Sequence, residues 1–355
     1  MRSTSGIRAQ RNAAACALYN GKLKPFHPLV RNAHLLTILG NFWPRTLDIR
    51  RFPVKPELFD TEPGVQVLVY SQDPAGTPQA ELILVHGLEG SSEAGYALSM
   101  TQAALEAGYA VHRFNMRSCG GTEILASSNY HAGQTGDLLA VARQIFARRG
   151  LPLFLIGFSL GGNVVLKLAG ELGEDARGWI AGVCGVSTPI DLAACVKLLE
   201  RRANFLYQWR FLSRLKQRIR TRHQLDPKRY SVKGLDTVST IFEFDDVYTA
   251  QFFGFGGAAN YYWTQSARQF LDLIRVPALL IQAKDDPLIP FEVFDQPAFA
   301  RNSYLRLLAV EHGGHLGFLS LRHPRFWLDH TVLEWVAATV AGKNYDTLRP
   351  QSGYS

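Results

Sequence analysis

A serine in the segment Gly157-Phe-Ser-Leu-Gly161 is the side chain whose surroundings point most directly to chemistry. Residues 153–156 before it have the pattern of a buried strand, and residues 164–169 after it have the pattern of a helix. A serine at a sharp turn between strand and helix, flanked by glycines, is typical of a G-x-S-x-G nucleophile. The glycines let strand and helix pack closely while Ser159 is held in a strained backbone conformation. We therefore predict that Ser159 is a catalytic nucleophile.

Two aspartates, Asp285 and Asp286, follow residues 278–283, which we predict to form a strand. A serine nucleophile needs a base that takes its proton, and an acid that fixes the tautomer of that base. In sheets of this kind the acid follows the serine along the chain and precedes the histidine. We predict Asp286 as the acid, because the turn should aim the aspartate directly before Pro287 inward. Asp285 is the alternative.

Two histidines, His312 and His315, follow the next predicted strand, residues 304–308. We predict His315 as the base, because the glycines beside it give its loop the freedom to approach Ser159, and both loops leave the same sheet edge as the serine. His312 is then a solvent-facing loop residue. The spacing of the two histidines also suggests a metal site. Without nearby cysteines or a third convincing ligand, however, we predict no metal and no cofactor.

Backbone N–H groups should stabilise the oxyanion that forms when a serine attacks a carbonyl. Leu160, directly after the nucleophile, supplies one such group. The loop His86-Gly-Leu-Glu-Gly-Ser91 follows an early predicted strand, as the second donor loop does in such folds. We predict the Leu88 N–H as the second donor, and we interpret His86 as a structural residue that supports this loop.

The composition is that of a globular protein with a large core, since 47% of its 355 residues are hydrophobic and 19% are charged. No apolar run reaches the ~18 residues needed to cross a bilayer. The residues before Cys16 are basic and polar, so we predict no signal peptide. The four cysteines have neither metal-type spacing nor the density of a disulfide framework, which favours reduced thiols and a cytoplasmic location.

Predicted strands and helices alternate along most of the chain, which indicates the α/β class, with a mostly parallel sheet covered by helices on both faces. A segment of different composition interrupts this alternation, and we interpret it as an inserted helical cap. We predict a flexible N-terminal arm at residues 1–24, a core at 25–191 and 264–345, and the cap at 192–263. The predicted strands are residues 65–70, 81–86, 110–114, 153–156, 179–186, 278–283 and 304–308. The predicted helices include residues 98–107, 137–148 and 326–340, with a short surface helix within 26–38.

The net charge of +8 arises in one part of the predicted cap, residues 197–229. This segment holds eleven Lys and Arg against Glu200 and Asp226, so its charge is +9 and the rest of the chain is near neutral. No recognised nucleic-acid-binding module accompanies it, and we predict no nucleic-acid partner. The sequence indicates no particular oligomeric state.

Apolar and basic residues of this segment recur at helical spacing in two separate rows. The apolar row includes Phe205, Trp209 and Leu212, and the basic row is Arg210, Arg214 and Arg218. We predict that the apolar row lines an acyl-binding pocket. The basic row should point to solvent, either as a plain solvated face or as a transient contact with an anionic membrane surface.

Together these motifs resemble the YheT-like branch of the α/β-hydrolases from about Phe26 onward. The shared segments are Arg31-Asn-Ala-His-Leu-Leu-Thr-Ile38, His86-Gly-Leu-Glu-Gly-Ser-Ser92, Phe114-Asn-Met-Arg-Ser-Cys-Gly-Gly121, Tyr130-His-Ala-Gly-Gln-Thr-Gly-Asp137 and Gly157-Phe-Ser-Leu-Gly-Gly-Asn163. Four residues depart from the pattern of that branch. Ala33 replaces a proline, Leu36 a glutamine, Ser118 a glycine and Ala132 a serine. The resemblance implies a carboxylesterase acting on short- or medium-chain acyl esters, acylglycerols or phospholipids. Related eukaryotic proteins carry a membrane anchor, which we do not expect here.

Three hypotheses about function follow. The leading one is a serine hydrolase that cleaves carboxylic esters. An acyltransferase on the same scaffold is the second, because both reactions share an acyl-enzyme. A hydrolase-like binding protein without activity is the third, and it is disfavoured because such proteins usually lose a member of the triad.

Overall fold

The computed structural model describes residues 24–342. Of the predicted N-terminal arm, only Lys24 falls within this range, and Cys16 lies outside it. Eight strands form one sheet in the order β1-β2-β4-β3-β5-β6-β7-β8. The strands are β1 Lys55–Glu62, β2 Val65–Gln72, β3 Glu81–Val85, β4 Ala110–Phe114, β5 Leu153–Phe158, β6 Ile180–Val186, β7 Ala278–Ala283 and β8 Leu305–Val310.

Strands β3 to β8 run parallel to their neighbours, whereas β2 pairs antiparallel with β1 and with β4. The mostly parallel sheet confirms the predicted fold class. Strand β1 was not predicted, because only Phe59 among its residues is fully buried. A polar edge strand of this kind lacks the continuous apolar run that marks the central strands.

Helices cover both faces of the sheet, and their bounds follow in chain order. They are α1 Ala33–Phe42, α2 Gly95–Glu106, α3 Gly136–Arg149, α4 Leu160–Leu172, α5 Leu192–Leu199, α6 Phe205–Leu225, α7 Ile241–Phe244, α8 Ala250–Phe252, α9 Ala258–Gln265, α10 Ala298–Arg301 and α11 Trp327–Val340. Strand β5 illustrates the two layers. Phe154 and Ile156 pack with the core beneath α2 and α11, whereas Leu153 and Leu155 pack with the core beneath α3 and α4. Alternate residues of a strand point to opposite faces, and each face here meets its own helical layer.

Helix α1 begins later than the sequence pattern indicated. The predicted segment, residues 26–38, starts with extended backbone, because the prolines at 25 and 28 do not favour a helix there. Asn32 caps the helix by accepting a hydrogen bond from the Leu35 N–H at 2.9 Å. Leu36 is fully buried, so this side of α1 packs against the rest of the molecule.

Helices α5 to α9 all lie between β6 and β7 along the chain. Helices α5 to α8 fall within the segment predicted as a cap, residues 192–263, and α9 ends two residues beyond it. Helix α6 is the longest of them, at 21 residues. Its buried Arg222 donates hydrogen bonds to the backbone oxygens of Glu123, Ala126 and Ser128, at 2.5 to 2.6 Å. These bonds attach the C-terminal half of α6 to the loop after β4. No helix within residues 24–342 is both long enough and apolar enough to span a membrane.

Candidate active site

Ser159 lies at the turn between β5 and α4, with φ 52° and ψ −120°. This is a strained conformation for a residue with a side chain. The turn is tight because two glycines allow it. A Cβ on Gly157 would lie 2.2 Å from the Gly161 oxygen, and a Cβ on Gly161 would lie 2.2 Å from the Val85 oxygen. The sequence folds this way locally because other residue types would separate β5, α4 and β3.

The loops after β7 and β8 bring an acid and a base to this serine. His315 Nε2 lies 2.9 Å from Ser159 Oγ, and His315 Nδ1 lies 3.0 Å from Asp286 Oδ2. A carboxylate can only accept, so the ring proton belongs on Nδ1 and Nε2 is free to accept the serine proton. The structure therefore brings together the three predicted triad residues in one hydrogen-bonded chain.

Asp286 is held rigidly for this contact. Its side chain is fully buried, and Oδ1 accepts hydrogen bonds from the N–H groups of Leu288 at 2.9 Å and Ile289 at 3.2 Å. The Gln282 side chain donates to Oδ2 at 3.1 Å. The turn thus aims the carboxylate inward, as we inferred from its position before Pro287.

Asp285 and His312 form a second pair, on the outer side of the same two loops. His312 Nδ1 lies 3.0 Å from Asp285 Oδ2, and the Gly314 N–H donates to Asp285 Oδ1 at 2.9 Å. Neither side chain of this pair has a contact with Ser159. The geometry favours Asp286 and His315 over Asp285 and His312, the alternatives that the sequence left open. Residues 24–342 contain no group of three or more His, Cys, Asp or Glu that could hold a metal ion.

Helix α1 fixes the loop that carries His315. The His315 N–H donates to Thr37 Oγ1 at 2.8 Å, and the Thr37 hydroxyl itself donates to the Ala33 oxygen at 2.7 Å. The loop packs so closely that a Cβ on Gly317 would lie 2.5 Å from the Leu36 oxygen. Since α1 holds the loop through the Thr37 hydroxyl and through close contact between backbones, the position of the imidazole depends on α1.

The two segments that carry the predicted oxyanion donors lie next to Ser159. Leu160 is the first residue of α4, where N–H groups have no partner within the helix. The loop that carries Leu88 lies against the serine, because a Cβ on Gly87 would be 3.0 Å from Ser159 Cβ. The Gly87 N–H itself donates to the Tyr96 hydroxyl at 3.0 Å, which holds this loop in position.

His86 supports the same loop through hydrogen bonds of its buried ring. Its Nε2 accepts a hydrogen bond from the Met116 N–H at 3.1 Å, and its Nδ1 therefore carries the proton donated to the Gly87 oxygen at 2.8 Å. Burial lowers the pKa of His86 to about 4, although the bond to Gly87 opposes this shift. The imidazole is neutral at pH 7 and joins the loops after β3 and β4, which agrees with the structural role we predicted.

Two cavities border on the loop after β3. One has a volume of about 480 Å³, includes Ser159 and His315, and is lined by α1 and the first half of α6. The other has a volume of about 460 Å³ and lies among α5 to α9, mostly between apolar and aromatic side chains. We call them the serine cavity and the cap cavity. Leu88, Glu89 and Arg218 line both of them.

An ion pair forms part of the wall between the two cavities. Arg218 Nε and Nη2 donate to the two carboxylate oxygens of Glu89, at 2.8 and 3.0 Å, and both side chains are largely buried. The Tyr130 hydroxyl donates to Glu89 Oε1 at 3.0 Å and accepts from the Glu89 N–H at 2.9 Å. A bidentate pair with these additional bonds is a rigid barrier.

The prediction that Phe205, Trp209 and Leu212 line the acyl pocket is wrong. Phe205 and Trp209 are 63% and 61% exposed, and Leu212 is buried in the core. None of the three lines the serine cavity or the cap cavity. The periodicity correctly groups them on one side of α6. However, the first turns of the helix extend beyond the core, so only the later part of that side is covered.

The prediction that the arginine row points to solvent is wrong for Arg218, which pairs with Glu89, and holds only in part for the others. Arg214 is exposed, but its guanidinium donates to the Glu89 backbone oxygen at 3.2 Å. Arg210 is partly exposed and lies over the Phe42 ring, 5.9 Å from its centre. Because α6 passes from solvent toward the loop after β4, the last arginine of the row, Arg218, is the one that is largely buried.

Sequence reasoning missed four residues that shape this site. They are Thr37, Glu89, Arg218 and Gln282. Glu89 belongs to the predicted oxyanion loop, and Thr37 belongs to a segment that carries the family resemblance. The sequence therefore marked the segments of both residues as part of the site. The roles of Arg218 and Gln282 depend on contacts between distant segments, which periodicity does not reveal.

Comparison with known proteins agrees with this geometry. A family model described as the alpha/beta hydrolase fold matches residues 81–320, from β3 to beyond the loop of His315. The chain belongs to the α/β-hydrolase family. The YheT protein of Escherichia coli (strain K12) is 31% identical over 319 residues, which are 88% of this chain and 92% of that protein. The chain therefore belongs to the YheT-like branch of the family.

Two eukaryotic relatives match a smaller part of their own length. "Phospholipase ABHD3" of Mus musculus is 28% identical over 263 residues, 73% of this chain and 64% of that protein. "Monoacylglycerol lipase" of Saccharomyces cerevisiae is 28% identical over 258 residues, 69% of this chain and 56% of that protein. The chain thus spans less than two thirds of either relative.

Solved structures with little sequence similarity share the α/β-hydrolase fold. The esterase Pf2001 of Pyrococcus furiosus aligns with a TM-score of 0.55 at 17% identity, covering 84% of this chain and 98% of that chain. The 2,6-dihydroxy-pseudo-oxynicotine hydrolase aligns with a TM-score of 0.56 at 19% identity, covering 82% of this chain and 69% of that chain.

Proposed function

We propose that this α/β-hydrolase cleaves carboxylic esters through an acyl-enzyme on Ser159. The observation that carries the proposal is the hydrogen-bonded chain from Ser159 Oγ to His315 Nε2, at 2.9 Å, and from His315 Nδ1 to Asp286, at 3.0 Å. A serine hydroxyl becomes a good nucleophile when a positioned base accepts its proton. An aspartate behind the base stabilises the imidazolium that forms.

In the first half of the reaction, Ser159 Oγ attacks the ester carbonyl while His315 accepts its proton. The N–H groups of Leu88 and Leu160 hydrogen-bond the resulting oxyanion. Collapse of the tetrahedral intermediate breaks the bond to the alcohol, which leaves with the proton from His315. In the second half, His315 takes a proton from water as the hydroxide attacks the acyl-enzyme. The second tetrahedral intermediate then collapses, His315 returns the proton to Ser159 Oγ, and the acid is released.

We propose esters of short- to medium-chain acyl groups, including lipid esters, as the substrate class. The serine cavity, of about 480 Å³, has room for a small ester. The names of the phospholipase and monoacylglycerol lipase relatives support lipid esters. We also propose a cytoplasmic location, which the buried free thiols of Cys119, Cys184 and Cys195 favour.

The test uses a fluorescent phosphonate that labels activated serines, together with p-nitrophenyl butyrate as a soluble ester. Wild type should be labelled at Ser159, and Ser159→Ala should lose the label and lower kcat/KM on the order of 10³-fold or more. The control is Ser213→Ala, a change of the same type at an exposed position on α6. Labelling at another residue, or full activity of Ser159→Ala, would contradict the proposal.

A further inference from the structure

Six large apolar side chains are exposed on α1 and on the first turns of the adjacent helix α6. On α1 they are Leu35, Ile38 and Phe42, and on α6 they are Phe205, Leu206 and Trp209. Their exposed fractions range from 44% to 71%. The spacing of three and four residues puts each set on one side of its helix. We call these six residues the mouth patch. A cluster of this kind differs from the isolated apolar residues found on most surfaces.

The two helices that carry the patch contact each other directly. The His34 ring stacks on the Tyr207 ring, with 5.7 Å between their centres, and the two side chains share a hydrogen bond of 3.2 Å. The Arg210 guanidinium lies 5.9 Å from the centre of the Phe42 ring. These contacts join the N-terminal half of α6 to α1.

Two residues of the mouth patch line the serine cavity. Ile38 and Phe42 from α1, together with Tyr207 and Arg210 from α6, line the cavity that includes Ser159. The part of the patch on α1 therefore borders the serine cavity, and the part on α6 lies on the neighbouring helix, on another side of it from the cavity-lining residues.

Basic residues lie at the same end of α6. Arg201, Arg202 and Arg214 are exposed, and Arg210 is partly exposed. Among the residues that the structure describes, none of these four has a carboxylate within salt-bridge distance, whereas Arg218 and Arg220 of the same helix are paired. Within the described residues, Arg201 and Arg202 thus place positive charge without a carboxylate partner beside the mouth patch, where it can meet an anionic surface.

We propose that the mouth patch docks this protein on an anionic lipid surface, with the entrance to the serine cavity facing the lipid. Aromatic and aliphatic side chains enter the boundary between headgroups and acyl chains, and nearby arginines interact with anionic headgroups. A second copy of this chain fits less well, because a symmetric dimer would bring the two sets of arginines together. The purpose of docking rests on the proposed ester hydrolysis, but the binding itself does not.

The test measures co-sedimentation of Ser159→Ala protein with vesicles, so that no turnover occurs and the result is independent of the proposed catalysis. The vesicles contain phosphatidylcholine alone or phosphatidylcholine with phosphatidylserine. We expect binding to the anionic vesicles at low salt, weaker binding to phosphatidylcholine alone, and loss of the difference as salt rises. Absence of binding to anionic vesicles at low salt would overturn the proposal.

Two sets of variants in this background locate the contact. Leu35→Ser/Phe205→Ser/Trp209→Ser should weaken anionic-vesicle binding at least tenfold, and Arg201→Gln/Arg202→Gln should weaken it about tenfold at low salt but little at high salt. The matched controls are Ile49→Ser/Leu58→Ser/Ile124→Ser and Arg50→Gln/Arg51→Gln, exposed residues on other elements. Both control variants should bind the anionic vesicles as tightly as the Ser159→Ala protein does.

All the changed residues are exposed, so the variants should fold, and circular dichroism checks this. Equal binding by the patch variant and its control would overturn the proposal. Light scattering measures the molar mass of each variant in solution and so reports self-association. A dimer that becomes monomeric only in the patch variant, without a change in vesicle binding, would assign the patch to contacts between copies and also overturn the proposal.

Discussion

At the scale of single residues, two neighbouring aspartates have different surroundings. Asp286 is buried, accepts two backbone N–H bonds and lies 3.0 Å from His315. Asp285 accepts from the Gly314 N–H and pairs with the more exposed His312. On the proposed mechanism only Asp286 can orient the base, while Asp285 helps to shape the loop.

We predict that Asp286→Asn lowers kcat on p-nitrophenyl butyrate on the order of 10³-fold or more, because an amide can present its N–H₂ and favour the wrong tautomer of His315. Asp285→Asn, the matched change one residue earlier, should lower kcat by about tenfold or less. A larger loss in Asp285→Asn than in Asp286→Asn would show that the acid is assigned to the wrong residue.

Much of the candidate site could be predicted at this scale because its signals are local. Ser159 lies in a glycine-flanked turn, and Asp286 and His315 each follow an apolar strand. The residues next to each one therefore indicated its role in the triad. Thr37 could not be predicted in its role. Its hydrogen bond joins α1 to a loop 278 residues away, and nothing in its own neighbourhood encodes that contact.

At the scale of elements, the central strands and the helices between them followed from apolar runs. The cap helix α6 shows the limit of such reasoning. Helical period predicts which residues share a side, as it did for Phe205, Trp209 and Leu212. It does not predict where along the helix the core ends, and the exposure of Phe205 and Trp209 depends on that point.

The ion pair of Arg218 on α6 with Glu89 leads to a prediction about acyl length. Arg218→Met replaces a charged part of the wall between the cavities by a smaller apolar side chain, so a longer acyl chain should extend into the cap cavity. We predict that the ratio of kcat/KM for p-nitrophenyl decanoate to that for the butyrate rises at least fivefold. The control is Arg220→Met, whose arginine pairs with Asp236 at the surface; it should keep the wild-type ratio.

Breaking a buried pair leaves an uncompensated charge and costs about 3–5 kcal/mol, so Arg218→Met alone could unfold. The double variant Glu89→Gln/Arg218→Met removes both charges, so the same ratio of kcat/KM values can be measured on a protein without an unpaired buried charge. If both variants are folded and active and neither changes the ratio, the pair does not limit chain length.

At the scale of the whole molecule, the parallel sheet brings the ends of β5, β7 and β8 to one edge, and the three triad candidates follow those ends. The excess positive charge belongs to the cap segment, as its sequence indicated. How that segment lies on the core could not be predicted, because its attachment depends on Arg218 and Arg222 bonding to loops far away in sequence.

The stability of the molecule should depend on pH through Asp329, a buried residue in the first turn of α11. Burial raises the pKa of Asp329 to about 6, although Arg45 and a hydrogen bond with Ser99 oppose the shift. The folded state therefore holds this proton more tightly than the unfolded chain. Its contribution to the free energy of unfolding is full below pH 4 and is lost as the pH rises to about 6.

We predict that Asp329→Asn becomes more stable relative to wild type as the pH rises from 4 to 7, by about 3 kcal/mol at most. Urea unfolding at several pH values measures this difference. The exposed Asp175→Asn serves as the control, and its difference from wild type should stay nearly constant. A difference between Asp329→Asn and wild type that does not grow with pH would contradict the assignment of a raised pKa.

The contact between Thr37 and His315 also has a consequence for the order of synthesis. Helix α1 leaves the ribosome early, whereas the loop that it holds is made after β8, near the end of the described chain. A nascent polypeptide that has completed β5 and α4 already carries Ser159, yet it lacks the acid, the base and the contact that fixes the base. On the proposed mechanism, therefore, the growing chain and any prematurely terminated product are catalytically silent, and esterase activity begins only once translation has passed His315.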